Sequence, residues 1–116
     1  VDELAALNHR VCQFAADREW QQFHDPKNLV MALATEVGEL TALFRWVDNR
    51  DSDAAARGEP ARQAMKEEIG DVGILLLLLC ARANIDLAGA IRDKIEINEN
   101  KYPAERSRGK AEPPEK

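Results

Sequence analysis

Aromatic residues make up only 5% of this 116-residue chain, and glycine occurs six times. β-Branched residues are also scarce. No stretch alternates apolar and polar residues as a half-buried strand would, and no segment repeats. These absences exclude sandwiches, barrels and solenoids. What remains is rich in Ala, Leu, Glu and Arg, a composition that favours helix. Cysteine occurs twice, at Cys12 and Cys80, without the clustering that a zinc site needs. Both lie in apolar helical contexts and read as free, buried thiols. The net charge is −5, and no basic stripe is present to neutralise a phosphate backbone, so no nucleic-acid polymer is expected as a partner. An acidic chain can still bind a polyphosphate through intervening metal ions. No basic-then-apolar leader follows Val1, and the expected location is the cytoplasm. The chain does not begin with Met and is read as trimmed at its start. Its one strongly apolar run, VGILLLLLCA from Val72 to Ala81, has about half the length that spans a bilayer. Asp71 and Arg82 bracket it. The run reads as a helix segment buried on all sides rather than a membrane element. A small domain has difficulty covering such a helix alone, which implies self-association.

Four helices account for most of the chain. The first is expected from Asp2 to Gln22, with Leu4, Leu7, Val11, Phe14 and Ala15 at helical spacing and Arg18 further along that face. The second runs from Pro26 to Val47, with Asp25 as its N-cap and Pro26 at the first helical position. DNRDSDAAARGEP follows as a polar loop. Pro60 opens the third helix, which continues to Ala83. Asp86 caps the fourth, from Leu87 to Lys101, and Pro103 stops it. Long helices joined by short connections predict an all-α four-helix bundle over residues 1–103. Residues 104–116 are charged, contain Pro and Gly, and are expected to form a disordered tail.

Carboxylates interrupt the apolar pattern twice. In TEVGEL, Glu36 lies three residues after Leu33 and four before Leu40, so it points where those leucines point. Glu39 follows one turn later. In KEEIGDVG, Glu68 and Asp71 repeat the spacing, with Glu67 as a further candidate. Gly38, Gly70 and Gly73 thin the helices beside these acids, and glycine's cost in a helix suggests close approach there. Two unit charges about 6 Å apart at an effective dielectric near 20 repel by roughly 3 kcal/mol. Four converging acids make six such pairs, more than a domain of ordinary stability tolerates. Some must be protonated, or cations must sit among them. An all-oxygen set suits Mg²⁺, and zinc is less natural where neither His nor Cys is present. Each motif alone could be a solvated face paired with Lys66, Arg45 or Arg62. Together, both bordering the core, they favour a site.

E-x-x-E on one helix and E-x-x-D on the next resembles the MazG-like all-α nucleoside triphosphate pyrophosphohydrolases. FAADREWQQFHDPKNLVMALATEVGELTALFRW, EEIGDV and KIEINENKYP follow, in order, the pattern of the dCTP pyrophosphatase branch, from about Val11 to Pro103. The resemblance implies a MazG-like bundle assembling as a dimer or as a tetramer built from dimers. It implies conversion of a nucleoside triphosphate to the monophosphate and pyrophosphate. Glu36, Glu39, Glu68 and Asp71 match the Mg²⁺ ligands, with Mn²⁺ as a possible substitute. Lys94, Asn98, Lys101 and Tyr102 match a motif that helps hold the nucleotide and its phosphates. Trp20, His24 and Trp46 match positions around base and sugar.

The residues themselves agree in part. Lys94, Asn98 and Lys101 share one helix face, either a phosphate-binding set or a solvated face. Trp20 and Trp46 could stack on a base or simply pack. His24 rests mostly on the resemblance, and His9 reads as structural or exposed. Glu39 is the candidate to orient or deprotonate water, and Lys94 and Lys101 to stabilise the leaving group. Leu75 stands where some relatives have a tyrosine near the base, and Lys101 where an arginine is common. Two other classes stay open: a non-catalytic helical oligomerisation module, and a nucleotide-binding sensor without turnover.

Overall fold

The computed structural model describes residues 2–112, and within them every regular element is helical. Six α-helices form, in two compact units that meet between Asn84 and Ile85. The first unit holds α1 (Glu3–Asp17), α2 (Pro26–Ala42), α3 (Ser52–Arg57) and α4 (Ala61–Ala83). Helix α4 is its centre: α2 packs on it most extensively, and α1 and α3 also lie against it. The second unit holds α5 (Leu87–Lys101) and the single turn α6 (Ala104–Ser107).

The helix starts follow from local chemistry. Asp2 accepts hydrogen bonds from the backbone N–H groups of Leu4 and Ala5, and Asp25 from that of Asn28 at 2.9 Å. Asp86 does the same for Gly89 at 3.0 Å. Each satisfies donors that a helix leaves open at its start. Helix α4 ends where Asn84 adopts the left-handed conformation, φ 58°, and its N–H returns to Cys80 and Ala81.

Several expected boundaries shift. The first helix stops at Asp17 rather than Gln22, because Arg18 and Glu19 turn their N–H groups back three residues to Ala15 and Ala16. Glu19 then takes a left-handed φ of 55°, and Trp20–Phe23 forms a separate 3₁₀ turn. The second helix ends at Ala42 rather than Val47, where Leu43, Phe44 and Val47 switch to i−3 hydrogen bonds. Such bonds tighten a helix end into turns. The expected polar loop contains a 3₁₀ turn at Asn49–Asp51 and α3, whose alanines supply local helix propensity. Residues 104–107, expected within the tail, form one helical turn, and residues 113–116 lie outside the described residues.

Among the described residues the buried core is small: Ala15 of α1, Leu29 of α2, and Leu77 and Cys80 of α4. Both thiols are free, with Cys80 buried and Cys12 half-buried. The run Val72–Ala81 is not buried on all sides as expected. Leu77 and Cys80 are enclosed, most of the others are half-buried, and Ile74 is 43% exposed. One small unit does not have enough chain to surround so apolar a helix. The glycine expectation also fails. A Cβ at Gly38, Gly70 or Gly73 would meet nothing within 4 Å, so no neighbouring element requires their small size. No single helix among the described residues is long and apolar enough to cross a membrane.

Leu29 is the more deeply buried of the two leucines in this core, at 2% exposure. Leu29→Ala should lower the unfolding free energy by about 2–5 kcal/mol through lost transfer energy and a residual cavity. Urea titration followed by far-UV circular dichroism measures this. A loss below about 1 kcal/mol would mean that α2 is held to α4 elsewhere.

Candidate active site

Packing of α2 on α4 brings Glu36, Glu39 and Glu68 together. One carboxylate oxygen from each lies within 4.8 Å of the other two. Glu36 and Glu68 are half-buried and Glu39 is exposed. Glu36 takes its place from the Leu33–Leu40 stripe, as its spacing predicts. Oε2 of Glu36 and Oε2 of Glu68 are sealed from solvent and have no hydrogen-bond partner. Buried oxygens normally find a donor. None of the three basic residues that could have made this an ordinary ion-paired face does so. Arg62 pairs with Glu59 at 3.9 Å, Arg45 lies near the Trp46 ring, and Lys66 makes no ion pair with the cluster.

The electrostatic consequence falls on Glu68. Its carboxyl is pushed up from 4.5 to about 7, first by burial and then by the crowding of the Glu36 and Glu39 carboxylates. A proton is thus one way to relieve the cluster. A cation is the other. The donor set is oxygen only, two of its oxygens are buried without partners, and both features fit a hard divalent ion. Asp71 is not within the tight triad. It is exposed, one turn after Glu68, and faces the same cavity as Glu36. Glu67 is exposed and outside the cluster.

That cavity adjoins the acids. It measures about 320 Å³ and is lined mainly by apolar side chains from α1 and α4, together with Glu36, Asp71, Trp20 and His24. Trp20 meets Phe14 edge to face, with ring centroids 5.6 Å apart. The Arg18 guanidinium covers Phe14 at 3.6 Å, close enough for cation–π attraction. Phe14 is therefore held on two sides while it lines the cavity. Leu75 contributes an apolar wall where a tyrosine would offer a hydroxyl.

Two of the three expected base-site residues, Trp20 and His24, thus meet at one cavity. Trp46 does not join them: it follows the end of α2 and is 88% exposed. Phe14, Val11 and Ile74 line the cavity but were not singled out for it. Their helical spacing is the same for a packed core and for a cavity wall, so the sequence held no distinguishing signal. Lys94, Asn98, Lys101 and Tyr102 lie on and just after α5 in the second unit. The first three are exposed, Tyr102 N–H donates to the Asn98 carbonyl at 2.7 Å, and Lys101 Nζ is 5.4 Å from the Tyr102 ring centroid.

A solved pyrophosphatase from Archaeoglobus fulgidus shares this fold with a TM-score of 0.82 and 36% identity, over 89% of this chain and 94% of that chain. Rat dCTP pyrophosphatase 1 is 44% identical over 99 residues. The chain belongs to the MazG-like nucleoside triphosphate pyrophosphohydrolases. The match to the rat protein covers 85% of this chain and 58% of that protein. Human dCTP pyrophosphatase 1 is 44% identical over 96 residues, covering 83% and 56% respectively. The chain therefore spans little more than half the length of these MazG-like relatives. No protein-family model matches it.

The Glu68 shift predicts a pH dependence of stability in metal-free protein. The folded carboxyl keeps its proton up to about pH 7, whereas the unfolded chain releases it near 4.5. Between those values the native state binds more protons, so this group's stabilising contribution is full below 4.5 and is lost as pH rises. Thermal denaturation in EDTA should show this decline, and Glu68→Gln should flatten it. Magnesium should raise the melting temperature more at pH 7.5 than at pH 5. An equal rise at both would remove Glu68 from the cation site.

Proposed function

We propose that this chain is a Mg²⁺-dependent pyrophosphohydrolase. It would convert a nucleoside triphosphate, dCTP or a related or modified deoxynucleotide, to the monophosphate and pyrophosphate. The observation that carries this reading is the unpaired carboxylate cluster beside an apolar, aromatic-bordered cavity. Kinship with the dCTP pyrophosphatases supports the substrate class.

Glu36, Glu39 and Glu68 would hold the metal, with Asp71 as the fourth ligand, and Mn²⁺ could substitute. Bound magnesium supplies charge neutralisation for the triphosphate and acidifies water. Glu39 is the exposed member of the cluster, which suits it to orient the attacking water or accept its proton. The cavity accepts the base, with Trp20 and His24 at its border, and Leu75 favours an apolar contact over a hydroxyl hydrogen bond. Lys94, Asn98, Lys101 and Tyr102 are assigned to the phosphates, and Lys94 and Lys101 to charge on the pyrophosphate leaving group. Trp46 is assigned to the substrate from its motif alone.

A homodimer or homotetramer completes the proposal. Val30, Met31, Val37 and Ile69 are each at least 44% exposed on α2 and α4, and a second copy would cover such surfaces. The proposed location is the cytoplasm.

Incubation with each deoxy- and ribonucleoside triphosphate plus Mg²⁺ should release pyrophosphate from at least one. Release of orthophosphate alone would contradict the cleavage position. Glu36→Gln should lose most turnover while keeping its helical spectrum, and full activity in that variant would sink the metal assignment. Tight triphosphate binding without hydrolysis would indicate a sensor. Failure to bind either Mg²⁺ or nucleotide would indicate an oligomerisation module.

A further inference from the structure

One face of α4 carries an acid of the cluster, residues that line the cavity, and Arg82. Glu68, Asp71, Leu75, Leu78 and Arg82 follow one another at steps of three and four residues, so they form a single stripe. Glu68 belongs to the carboxylate cluster, and Asp71, Leu75 and Leu78 line the cavity. Arg82 closes the stripe. Its Nη1 donates to the backbone carbonyl of Gln21 at 2.9 Å, across 61 positions of sequence.

That carbonyl also accepts the backbone N–H of His24, at 3.1 Å. Its two acceptor sites are thus shared between the turn's own closing bond and a charged donor from α4. The peptide being held lies inside the 3₁₀ turn Trp20–Phe23, between the two polar-tipped rings of the cavity, Trp20 and His24. A second tie comes from α2, where Asn28 Nδ2 donates to the Phe23 carbonyl at 3.1 Å. On its other side the turn follows Glu19 in a left-handed conformation, which an L-residue adopts only against steric cost. The chain entering the turn does not favour its placement, and the ties from α4 and α2 supply it.

We propose that Arg82 is a positioning residue for nucleotide recognition. It holds Trp20 and His24 at the cavity border, and it acts on base and sugar affinity without touching the phosphates. This rests on reading the cavity as the nucleoside pocket of a triphosphate hydrolase. An arginine in the last turn of a helix also complements the helix dipole. That role alone would affect stability and leave substrate affinity untouched, which separates the two.

The test uses the whole chain, saturating Mg²⁺ and whichever of the four deoxynucleoside triphosphates is turned over fastest. Arg82→Ala should raise KM by about five- to tenfold, the net scale of one ordinary hydrogen bond, with kcat within about twofold. Arg82→Lys keeps a charged donor and should recover most of that affinity. The Mg²⁺ concentration for half-maximal activity should match wild type in both. Unchanged KM in active Arg82→Ala overturns this inference and leaves the hydrolase reading intact. So does a parallel loss of kcat and melting temperature with KM unmoved. A wild-type chain that hydrolyses no triphosphate overturns both.

Discussion

Mutual repulsion among Glu36, Glu39 and Glu68 is the constraint around which the first unit is organised. Packing α2 against α4 buries apolar surface, centred on Leu29 and Leu77, and the same packing forces three carboxylates within 4.8 Å. The favourable and unfavourable terms cannot be separated by moving one helix, because Glu36 and Glu68 are half-buried in the same helix pair that forms the core. Relief must come from inside the cluster. The elevated Glu68 carboxyl shows the proton route, and the two partnerless oxygens show what a cation would gain. Stability and the charge state of the cluster are therefore coupled through one helix pair.

Function is laid out along α4. Its first half presents acids, its middle presents leucines to the cavity, and its end presents the arginine that reaches the 3₁₀ turn. One rigid element thus spans from the clustered carboxylates to the residues that line the cavity. Site residues on a helix are placed more precisely than those on a loop. Trp20 opens a short 3₁₀ turn and His24 follows it, and Arg82 and Asn28 donate hydrogen bonds to that turn's Gln21 and Phe23 carbonyls. Trp46 has no such support and is almost fully exposed.

The small core explains why so much apolar surface remains open. Among the described residues only Ala15, Leu29, Leu77 and Cys80 are enclosed, while isoleucines and valines along α2 and α4 face outward. Gly38, Gly70 and Gly73 also face open space. They sit beside the acids, but within the chain nothing closes on them. Sequence spacing had suggested tight helix contact at these glycines. Spacing tells which residues share a face, but not whether that face meets another element.

Much was legible in the residues alone. The all-α class followed from composition and periodicity. The caps Asp25 and Asp86 followed from side-chain chemistry that acts within four residues. The i, i+3 acids flanked by leucines marked where α2 and α4 bring Glu36, Glu39 and Glu68 together. Local rules determined these features because each depends on neighbours a turn away. The cavity was not legible. Val11 and Phe14 carry the same pattern whether they fill a core or wall a pocket, and α1's early end at Asp17 depended on a left-handed Glu19 that no motif announces. Only tertiary packing separated Asp71 from the tight triad, left Trp46 in solvent and brought Arg82 to Gln21. Those outcomes depend on distances between helices, and a one-dimensional pattern carries the face of a residue but not what stands opposite it.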